Sequence, residues 1–436
     1  MSRRAWAMLP FLLSIVLTHP AGGADWPQYR GPTGNGISSE AKAPLEWNDT
    51  KNIKWKTTLP GPGSSSPIVS GGYVFVTCYS GYGVNPEVSD KIESLKRYLL
   101  CLKLDDGEVV WSRSVDAAIP EDAFGSMEIT EHGYASSTPV TDGQRIYVFF
   151  GKTGMLAFDF QGKQLWRADV GHESSKRRWG SSASPILYRN TVIVNASEES
   201  RSIRALDKMT GKEKWKAEAA GLELTYATPL AVDLPDGRKE LVIGVPGEAW
   251  GLNPDTGKLV WHADTSLSGN VAPSPVAQGG IVYLMGGYPG QQTVAIRAGG
   301  KGDVTKSHIL WSSQVSSYVP SPVLSGGNLY WVSDMGLANC AEAATGKSIY
   351  REKLPRVAGA KSGKPYYASV VLVKDRLYAV SRAGDTCVLA AKPAFEVLAH
   401  NPLASDTSDF NASPAVSDGK ILLRSNRFIY CIADDH

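Results

Sequence analysis

One phrase recurs along the chain, and its period limits the fold more than any other feature. Most copies begin with Ser or Thr before a proline, pass through a short turn and two apolar runs, and end in a second turn and an aromatic residue; in the clearest copy, Ser182 to Trp215, this ending is Thr-Gly-Lys and Trp. Seven of eight copies open on a proline, at Pro67, Pro139, Pro185, Pro229, Pro275, Pro322 and Pro414, and Val370 takes this place in the seventh copy. After a first step of 72 residues, lengthened by an insertion, the steps are 44 to 48 residues.

A period in the mid-forties, made of four short β-branched and aromatic runs, is typical of a four-stranded propeller blade. Eight blades around a central channel would use the whole mature chain and leave only short, protected sheet edges. The sequence therefore predicts an all-β fold, a single eight-bladed β-propeller over residues 25–436.

The eighth copy contains only three strand-like runs, and a blade without its outer strand would expose an unpaired edge. Residues 52–61, "NIKWKTTLPG", resemble the missing strand, with Trp55 in the place of the blade tryptophan. We therefore expect this N-terminal strand to complete the last blade and close the ring. The preceding stretch "DWPQYRGPTGNG", residues 25–36, is expected to lead into it, with Trp26 and Tyr29 as anchors on the propeller surface rather than ligand contacts.

The fourth run of most copies carries an aromatic residue. A buried aromatic side chain removes about 150–250 Å² from water, so a periodic one is expected to dock between neighbouring blades. The docking tryptophans are Trp55, Trp111, Trp166, Trp215, Trp261 and Trp311, with Tyr350 in the sixth copy. The seventh copy has lost both the Thr-Gly turn and the tryptophan, which predicts an irregular blade.

Residues 1–24 have the features of a secretory signal peptide: Arg3 and Arg4, an apolar run from Ala5 to Thr18, and then small residues. A run of 14 residues is shorter than the roughly 18 to 20 that cross a bilayer. We expect export to the periplasm, the cell envelope or the medium, with no transmembrane segment after cleavage. A retained anchor is the alternative.

Composition excludes several classes of function. A formal charge of +2 provides no clustered basic surface for nucleic acid. The five cysteines match no zinc-binding spacing, and no metal site is expected. Cys78 and Cys101 fall on adjacent predicted strands of the first blade and could pair, whereas a small buried apolar site is the alternative for Cys101.

The phrases "ALDKMTGKEKW" and "LNPDTGKLVW" resemble the tryptophan-docking repeat of the pyrroloquinoline quinone (PQQ) dehydrogenase superfamily, which BamB-like propellers share. The resemblance covers essentially the whole mature chain and implies the propeller fold. The dehydrogenases also use adjacent cysteines beside the quinone and a calcium ion with an Asp base, and this chain contains no Cys-Cys. No cofactor is therefore expected; PQQ with calcium belongs to an alternative function.

Loops entering the inner strands and loops joining second to third strands emerge on one face of a propeller. Here they present aromatic residues among charges of both signs, as a site for a small polar ligand or a peptide would. The candidates are Tyr134, Arg178, Trp179, Glu198, Tyr226, Glu248, Tyr318, Asp334, Arg382, Asn411 and Arg427. Ordinary solvated loops are the alternative. Trp179 is the strongest candidate because it has no place in the docking register.

The sequence favours an exported, non-enzymatic binding or scaffold propeller whose loop face recognises a peptide, a protein or an envelope component. The alternative is a PQQ-dependent oxidoreductase acting on an alcohol or a sugar, with an acidic residue of the loop face as the base. No catalytic residue is assigned.

Overall fold

The computed structural model describes residues 24–85, 90–125, 129–355 and 363–434, and its strands form eight sheets of four or five strands. The prediction of an all-β, eight-bladed propeller is confirmed. Apart from Ala24, the predicted signal peptide lies outside the described residues. Within those ranges no helix has the length and apolar character needed to cross a membrane.

The chain enters through two strands, β1 (Ile37–Ser38) and β2 (Ile53–Thr58), and then builds the blades in order. Blade 1 comprises β3 (Ile68–Ser70), β4 (Tyr73–Ser80), β5 (Lys96–Lys103) and β6 (Val109–Asp116). Blade 2 comprises β7 (Val140–Thr141), β8 (Arg145–Phe149), β9 (Met155–Asp159) and β10 (Gln164–Ala168). Blade 3 comprises β11 (Ile186–Tyr188), β12 (Thr191–Ala196), β13 (Ser202–Asp207) and β14 (Glu213–Glu218). Blade 4 comprises β15 (Leu230–Asp233), β16 (Lys239–Val245), β17 (Glu248–Leu252) and β18 (Leu259–Asp264).

The second half of the ring follows the same order. Blade 5 comprises β19 (Val276–Gln278), β20 (Ile281–Gly286), β21 (Gln292–Arg297) and β23 (Ile309–Ser313), while β22 (Gly302–Asp303) adds in parallel to β18. Blade 6 comprises β24 (Val323–Ser325), β25 (Asn328–Val332), β26 (Leu337–Glu342) and β27 (Ser348–Lys353). Blade 7 comprises β28 (Val371–Val373), β29 (Arg376–Val380), β30 (Thr386–Ala390) and β31 (Val397–Asn401). Blade 8 comprises β32 (Ala415–Ser417), β33 (Lys420–Arg424) and β34 (Phe428–Ile432).

Short helical turns occupy some of the loops in the described ranges. The α-helical turns are α1 (Ile129–His132), α2 (Ser197–Ser200) and α3 (Thr305–His308), and the 3-10 turns are Ile92–Ser94, Gly151–Thr153 and Ala220–Leu222. Middle strands such as β12 are buried almost throughout, because they lie between two neighbouring blades. Outer strands such as β14 bury little beyond the blade tryptophan, here Trp215.

The predicted closing strand is confirmed. β2 pairs antiparallel with β34, and Trp55 lies opposite Cys431. The first and last parts of the described chain therefore share one sheet, so blade 8 has its fourth strand.

Residues 26–38, which we call the plug segment, cross the end of the channel at which the inner strands finish. They form hydrogen bonds with blades 1, 2, 5, 6 and 7: Trp26 with Val69, Pro27 with Thr141, Asn35 with Ala277, Arg30 with Pro322, and Gly36 with Leu372. Burial of the Arg30 guanidinium lowers its pKa to about 10. Gly31 has a φ of 80°, and a Cβ there would lie 2.8 Å from the Trp26 ring, so the turn requires glycine.

Five blade tryptophans dock on the next blade. Each donates its indole N–H, over 2.8–3.1 Å, to a carbonyl in the following blade's turn: Trp55 to Leu104, Trp111 to Phe160, Trp166 to Lys208, Trp215 to Pro254, and Trp311 to Ala343. Trp261 differs, since its indole donates over 2.7 Å to Glu240 of its own blade. The fifth copy lacks the short glycine turn on which the other five tryptophans pack, and a longer connection containing β22 and α3 takes its place.

The pairing considered for Cys78 and Cys101 is wrong. Cys78 lies opposite Tyr98 and Cys101 opposite Phe75, which separates the two cysteines by three positions along the strands. That offset corresponds to about 10 Å at the rise of a strand, beyond the reach of a disulfide. All five cysteines are free and buried.

Candidate functional site

A collar of hydroxyl groups surrounds the channel where each inner strand is entered. It consists of the residues directly before the blade prolines, with one before Val370: Ser66, Thr138, Ser184, Thr228, Ser274, Ser321, Ser369 and Ser413. The hydroxyl oxygens of seven of them accept the backbone N–H of the preceding member at 2.9–3.1 Å. At each of these seven positions, the hydroxyl oxygen thus accepts a backbone N–H that forms no hydrogen bond within a sheet.

Next to the collar the channel widens, on the loop face, into a cavity of about 410 Å³, which we call the well. Its floor includes collar residues and Tyr29, whose hydroxyl lies 3.3 Å from the Ser369 hydroxyl. The sequence predicts Tyr29 to be an anchor on the propeller surface rather than a ligand contact, whereas in the structure it lines the well. On the far side of Tyr29, a second cavity of about 400 Å³ lies between the plug segment and blades 3 to 5.

Blades 3 to 6 form an aromatic wall of the well, consisting of Trp179, Tyr226 and Tyr318. Trp179 stacks on Tyr226 with ring centroids 5.4 Å apart and planes 24° from parallel. Between these aromatic residues along the ring of loops lies Asn270, whose side chain is 0% exposed. Neither its amide nitrogen nor its amide oxygen has a hydrogen-bond partner in the described part of the chain.

The opposite side of the well is a charged wall centred on Arg382. Its guanidinium lies 2.6 Å from the Glu131 carboxylate and donates through Nε to Asn411 over 3.1 Å. The Asn411 amide nitrogen donates in turn to the Glu131 carbonyl over 2.7 Å. The guanidinium also lies 4.4 Å from the Tyr367 ring centre, and burial raises the pKa of the Tyr367 hydroxyl. These contacts fix the side chain of Arg382 and offset its charge.

His132 supports the aromatic wall from behind. One ring nitrogen, Nε2, lies 2.8 Å from the Trp179 carbonyl, and Nδ1 lies 2.6 Å from the Ser136 hydroxyl. A carbonyl only accepts, so Nε2 carries the proton and Nδ1 accepts from Ser136. Burial lowers the pKa of His132, which favours this neutral form. His132 therefore positions the loop that carries Trp179.

A second buried polar region, which we call the acidic cluster, lies between blades 1, 2 and 3 around a cavity of about 20 Å³. Its carboxylates are Glu121, Asp122, Glu198 and Glu199, and its cations are Arg97 and Lys152. Arg97 pairs with Glu121 at 2.5 Å and Lys152 with Asp122 at 3.0 Å. The two remaining carboxylates have hydroxyl partners, Ser175 for Glu198 and Ser181 for Glu199. Burial raises the pKa of Glu198 to about 7 and that of Glu199 to about 8.

The structure separates the predicted site residues into groups. Those that line the well are Trp179, Tyr226, Tyr318, Arg382 and Asn411. Tyr134 and Glu198 lie at the acidic cluster instead. Arg178 and Arg427 are exposed, and Glu248 accepts the indole N–H of Trp250. Asp334 is buried outside the well, where it accepts the Tyr318 N–H over 3.2 Å and its pKa is raised by burial.

The well also contains residues that were not among the predicted site residues, including Glu131, Asn270, Lys364 and Tyr367. Asn270 lies in a loop that the repeat register does identify, but nothing in its sequence context indicates an unpaired amide. Lys364 and Tyr367 follow a long connection to blade 7, where the repeat phrase is weakest. In the described ranges, no group of three His, Cys, Asp or Glu side chains is arranged to hold a metal ion.

Comparison with known proteins supports the same architecture. A family model described as outer membrane protein assembly factor BamB matches residues 95–352. The chain is 26% identical over 290 residues to the outer membrane protein assembly factor BamB of Burkholderia pseudomallei (strain K96243), covering 62% of this chain and 70% of that protein.

Two solved structures share the fold. The BamB structure from Moraxella catarrhalis superposes with a TM-score of 0.60 at 15% identity, over 87% of this chain and 97% of that one. The quinohemoprotein alcohol dehydrogenase of Comamonas testosteroni gives a TM-score of 0.65 at 11% identity, over 94% of this chain and 81% of that one. At such identities the likeness concerns the fold alone.

Proposed function

This chain belongs to the family of the outer membrane protein assembly factor BamB, and from that premise we propose that it is a non-enzymatic binding propeller of the cell envelope. Its loop face recognises a peptide or protein partner, and the well is the centre of that face. The proposed location rests on the signal-like pattern of residues 1–24 and on the similarity to outer membrane protein assembly factors.

The observation that supports binding most directly is the combination of an aromatic wall with the unpartnered amide of Asn270. Ligand sites commonly combine apolar or aromatic walls with a few well-placed polar groups. A buried amide without partners costs about 1–3 kcal/mol, and a ligand that bonds to it recovers that free energy. A peptide group offers one N–H donor and one carbonyl acceptor, which can pair with the carbonyl oxygen and the NH2 group of an asparagine amide.

The alternative, a PQQ-dependent oxidoreductase, has the shared fold as its main support. A calcium-bound quinone needs oxygen ligands for the metal, about six to eight in number, and cations for the quinone carboxylates. In the described part of the well the one carboxylate is Glu131, which is paired with Arg382. The residues present do not fit that group, so binding is the stronger proposal.

Photo-crosslinking in cells tests the binding face. A photoreactive amino acid replaces Tyr318 in the well or, as the matched control, Arg427, which is exposed and lies outside the well. We expect a crosslinked peptide or protein from position 318 and none from position 427. Equal crosslinking from both positions, or none from position 318, would contradict the proposal.

A second measurement separates the two functions. Purified protein is mixed with PQQ and calcium, and dye reduction is followed with a panel of alcohols and sugars. We expect no turnover. Sustained dye reduction that depends on PQQ would establish the oxidoreductase instead.

A further inference from the structure

We propose that the well binds the C-terminal end of an extended peptide, with the terminal carboxylate at Lys364 and Arg382 and a nearby peptide group at Asn270. This inference rests on the proposed peptide-binding function and adds the chemistry of the ligand. Three independent features of the well lead to it.

The first feature is the obstruction at the far end of the channel. Tyr29 and the collar form the floor of the well, and beyond them the plug segment is hydrogen-bonded to five blades, with a second cavity of about 400 Å³ between it and blades 3 to 5. A chain that enters from the loop face meets Tyr29 and then the plug segment, an arrangement that suits a chain end. The volume of the well, about 410 Å³, lies within the range of about 300–1,000 Å³ that small ligands occupy, which suits a few terminal residues.

The second feature is the Asn270 amide. It is fully buried, lines the well and has both polar atoms without partners in the described ranges. One carboxamide can donate to the carbonyl of a peptide group and accept from its N–H. These two hydrogen bonds would give the buried nitrogen and oxygen of the Asn270 amide one partner each. An extended peptide backbone can supply both partners, its carbonyl oxygen and its N–H.

The third feature is the distribution of charge. Arg382 is offset by Glu131 at 2.6 Å and by Asp409 at 3.7 Å. Lys364 forms no ion pair in the described part of the chain, and its ammonium lies 4.1 Å from the Tyr318 ring centre. Of the two cations that line the well, Arg382 is thus paired and Lys364 is not, and Lys364 lies at the junction of the two walls, because Pro365 accepts the Arg382 N–H. A ligand with a single negative charge beside an apolar group fits that junction.

A peptide's last residue has this arrangement. Its carboxylate can approach Lys364 and the guanidinium of Arg382, while its side chain packs on the stacked rings of Trp179 and Tyr226. An internal peptide segment lacks the charge, and a free amino acid lacks the peptide group that Asn270 would recognise.

The inference is tested by calorimetric titration of the purified protein with short synthetic peptides that end in Leu or Phe. Each peptide is prepared as the free acid, as the C-terminal amide and in N-acetylated form. We expect the free acid to bind about tenfold or more tightly than the amide, as loss of a charge-assisted bond predicts, and N-acetylation to have no effect. Equal affinity of acid and amide would overturn the carboxylate assignment while leaving peptide binding intact.

Variants locate the contacts. Lys364→Met should reduce free-acid affinity to that of the amide and leave amide affinity unchanged, and Asn270→Leu should weaken both forms about tenfold. Arg427→Ala, outside the well, serves as the matched control and should change neither. Unchanged free-acid affinity in Lys364→Met, or binding of free leucine as tight as that of a peptide, would refute the chain-end assignment. Absence of binding by every peptide would refute the assignment too, and the crosslink from position 318 then decides whether the proposed function also fails.

Discussion

The well and the acidic cluster share Ser136 in their linings, yet they accommodate buried charge in different ways. In the well, the charge of Arg382 is balanced by Glu131, and the neutral amide of Asn270 has no hydrogen-bond partner in the described part of the chain. In the acidic cluster, four carboxyl groups lie beside two cations, so Glu198 and Glu199 are buried without a cation of their own.

The two arrangements respond to different partners. A ligand stabilises a buried neutral amide by forming hydrogen bonds with its unpartnered atoms. A proton stabilises a buried carboxylate by removing its charge. The comparison therefore predicts ligand recognition at the well and pH dependence at the acidic cluster. Four substitutions test this division, in order of expected effect.

The largest effect is expected from Glu198→Gln combined with Glu199→Gln. Burial raises both folded-state pKa values from 4.5, to about 7 and about 8. The folded protein therefore binds more protons than the unfolded chain over that interval, and stability falls as pH rises from about 4.5 to about 8. At about 1.4 kcal/mol for each pKa unit, the two increases together predict that the double variant is about 7 kcal/mol more stable than the wild type at pH 8, and about equal to it at pH 4.5.

Urea unfolding at intervals from pH 4.5 to pH 8 measures this difference. Glu108→Gln, an exposed carboxylate paired with Lys103, is the matched control and should follow the wild type. A wild-type stability that does not fall over this range would show that the carboxylates of the acidic cluster ionise normally.

The second effect concerns the aromatic wall. Trp179→Ala removes a side chain that is 7% exposed and stacked on Tyr226, so a loss of about 3 kcal/mol in the free energy of unfolding is expected. Trp179→Phe should retain about half of that stability, because an aromatic ring can still pack on Tyr226. Denaturant titration at one pH distinguishes these outcomes, and an unaltered midpoint for Trp179→Ala would mean that the stack is absent in solution.

The third effect concerns the charged wall. Arg382→Met leaves Glu131 without its cation and should cost about 1–2 kcal/mol. Adding Glu131→Gln should restore most of that loss, because the uncompensated charge is then removed. The coupling free energy from this double-mutant cycle checks the ion pair; additive effects would argue against it.

The smallest effect on stability is expected from Asn270→Leu. Replacing a buried, unpartnered amide by an apolar side chain of similar size should raise stability by about 1 kcal/mol or leave it unchanged. A structural asparagine would instead lose stability on this change. A clear decrease in the unfolding midpoint would therefore remove Asn270 from the proposed recognition site.

Much of the fold could be predicted from the sequence because its repeats are local. The blade phrase predicts the strands, and the match of Trp55 to the blade register predicts the closing pair of β2 with β34. The failure of Trp261 to dock on the next blade could also be predicted, because the following copy lacks the short glycine turn on which the other tryptophans dock.

The site was less accessible to sequence analysis because it depends on neighbours distant in the chain. Trp179 could be identified as exceptional, but its stacking partner Tyr226 comes from another blade. Glu198 was expected on the loop face, whereas the turn α2 places it inward among residues of blades 1 and 2. Tyr29 could not be placed in the channel from the sequence, because its position depends on where the plug segment crosses the ring.

The closure of the ring has a consequence for the order of folding. The plug segment and β2 are synthesised before every strand they bind, yet β2 cannot pair until β34 has been made. At about 5–20 residues per second, roughly twenty seconds to a minute separates the two strands during synthesis. A chain that stops before blade 8 cannot pair β2 with β34, so it keeps unpaired strands at the edges of its sheets. Proteases cleave such open chains more readily than the closed ring, which would remove incomplete chains before they bind a partner.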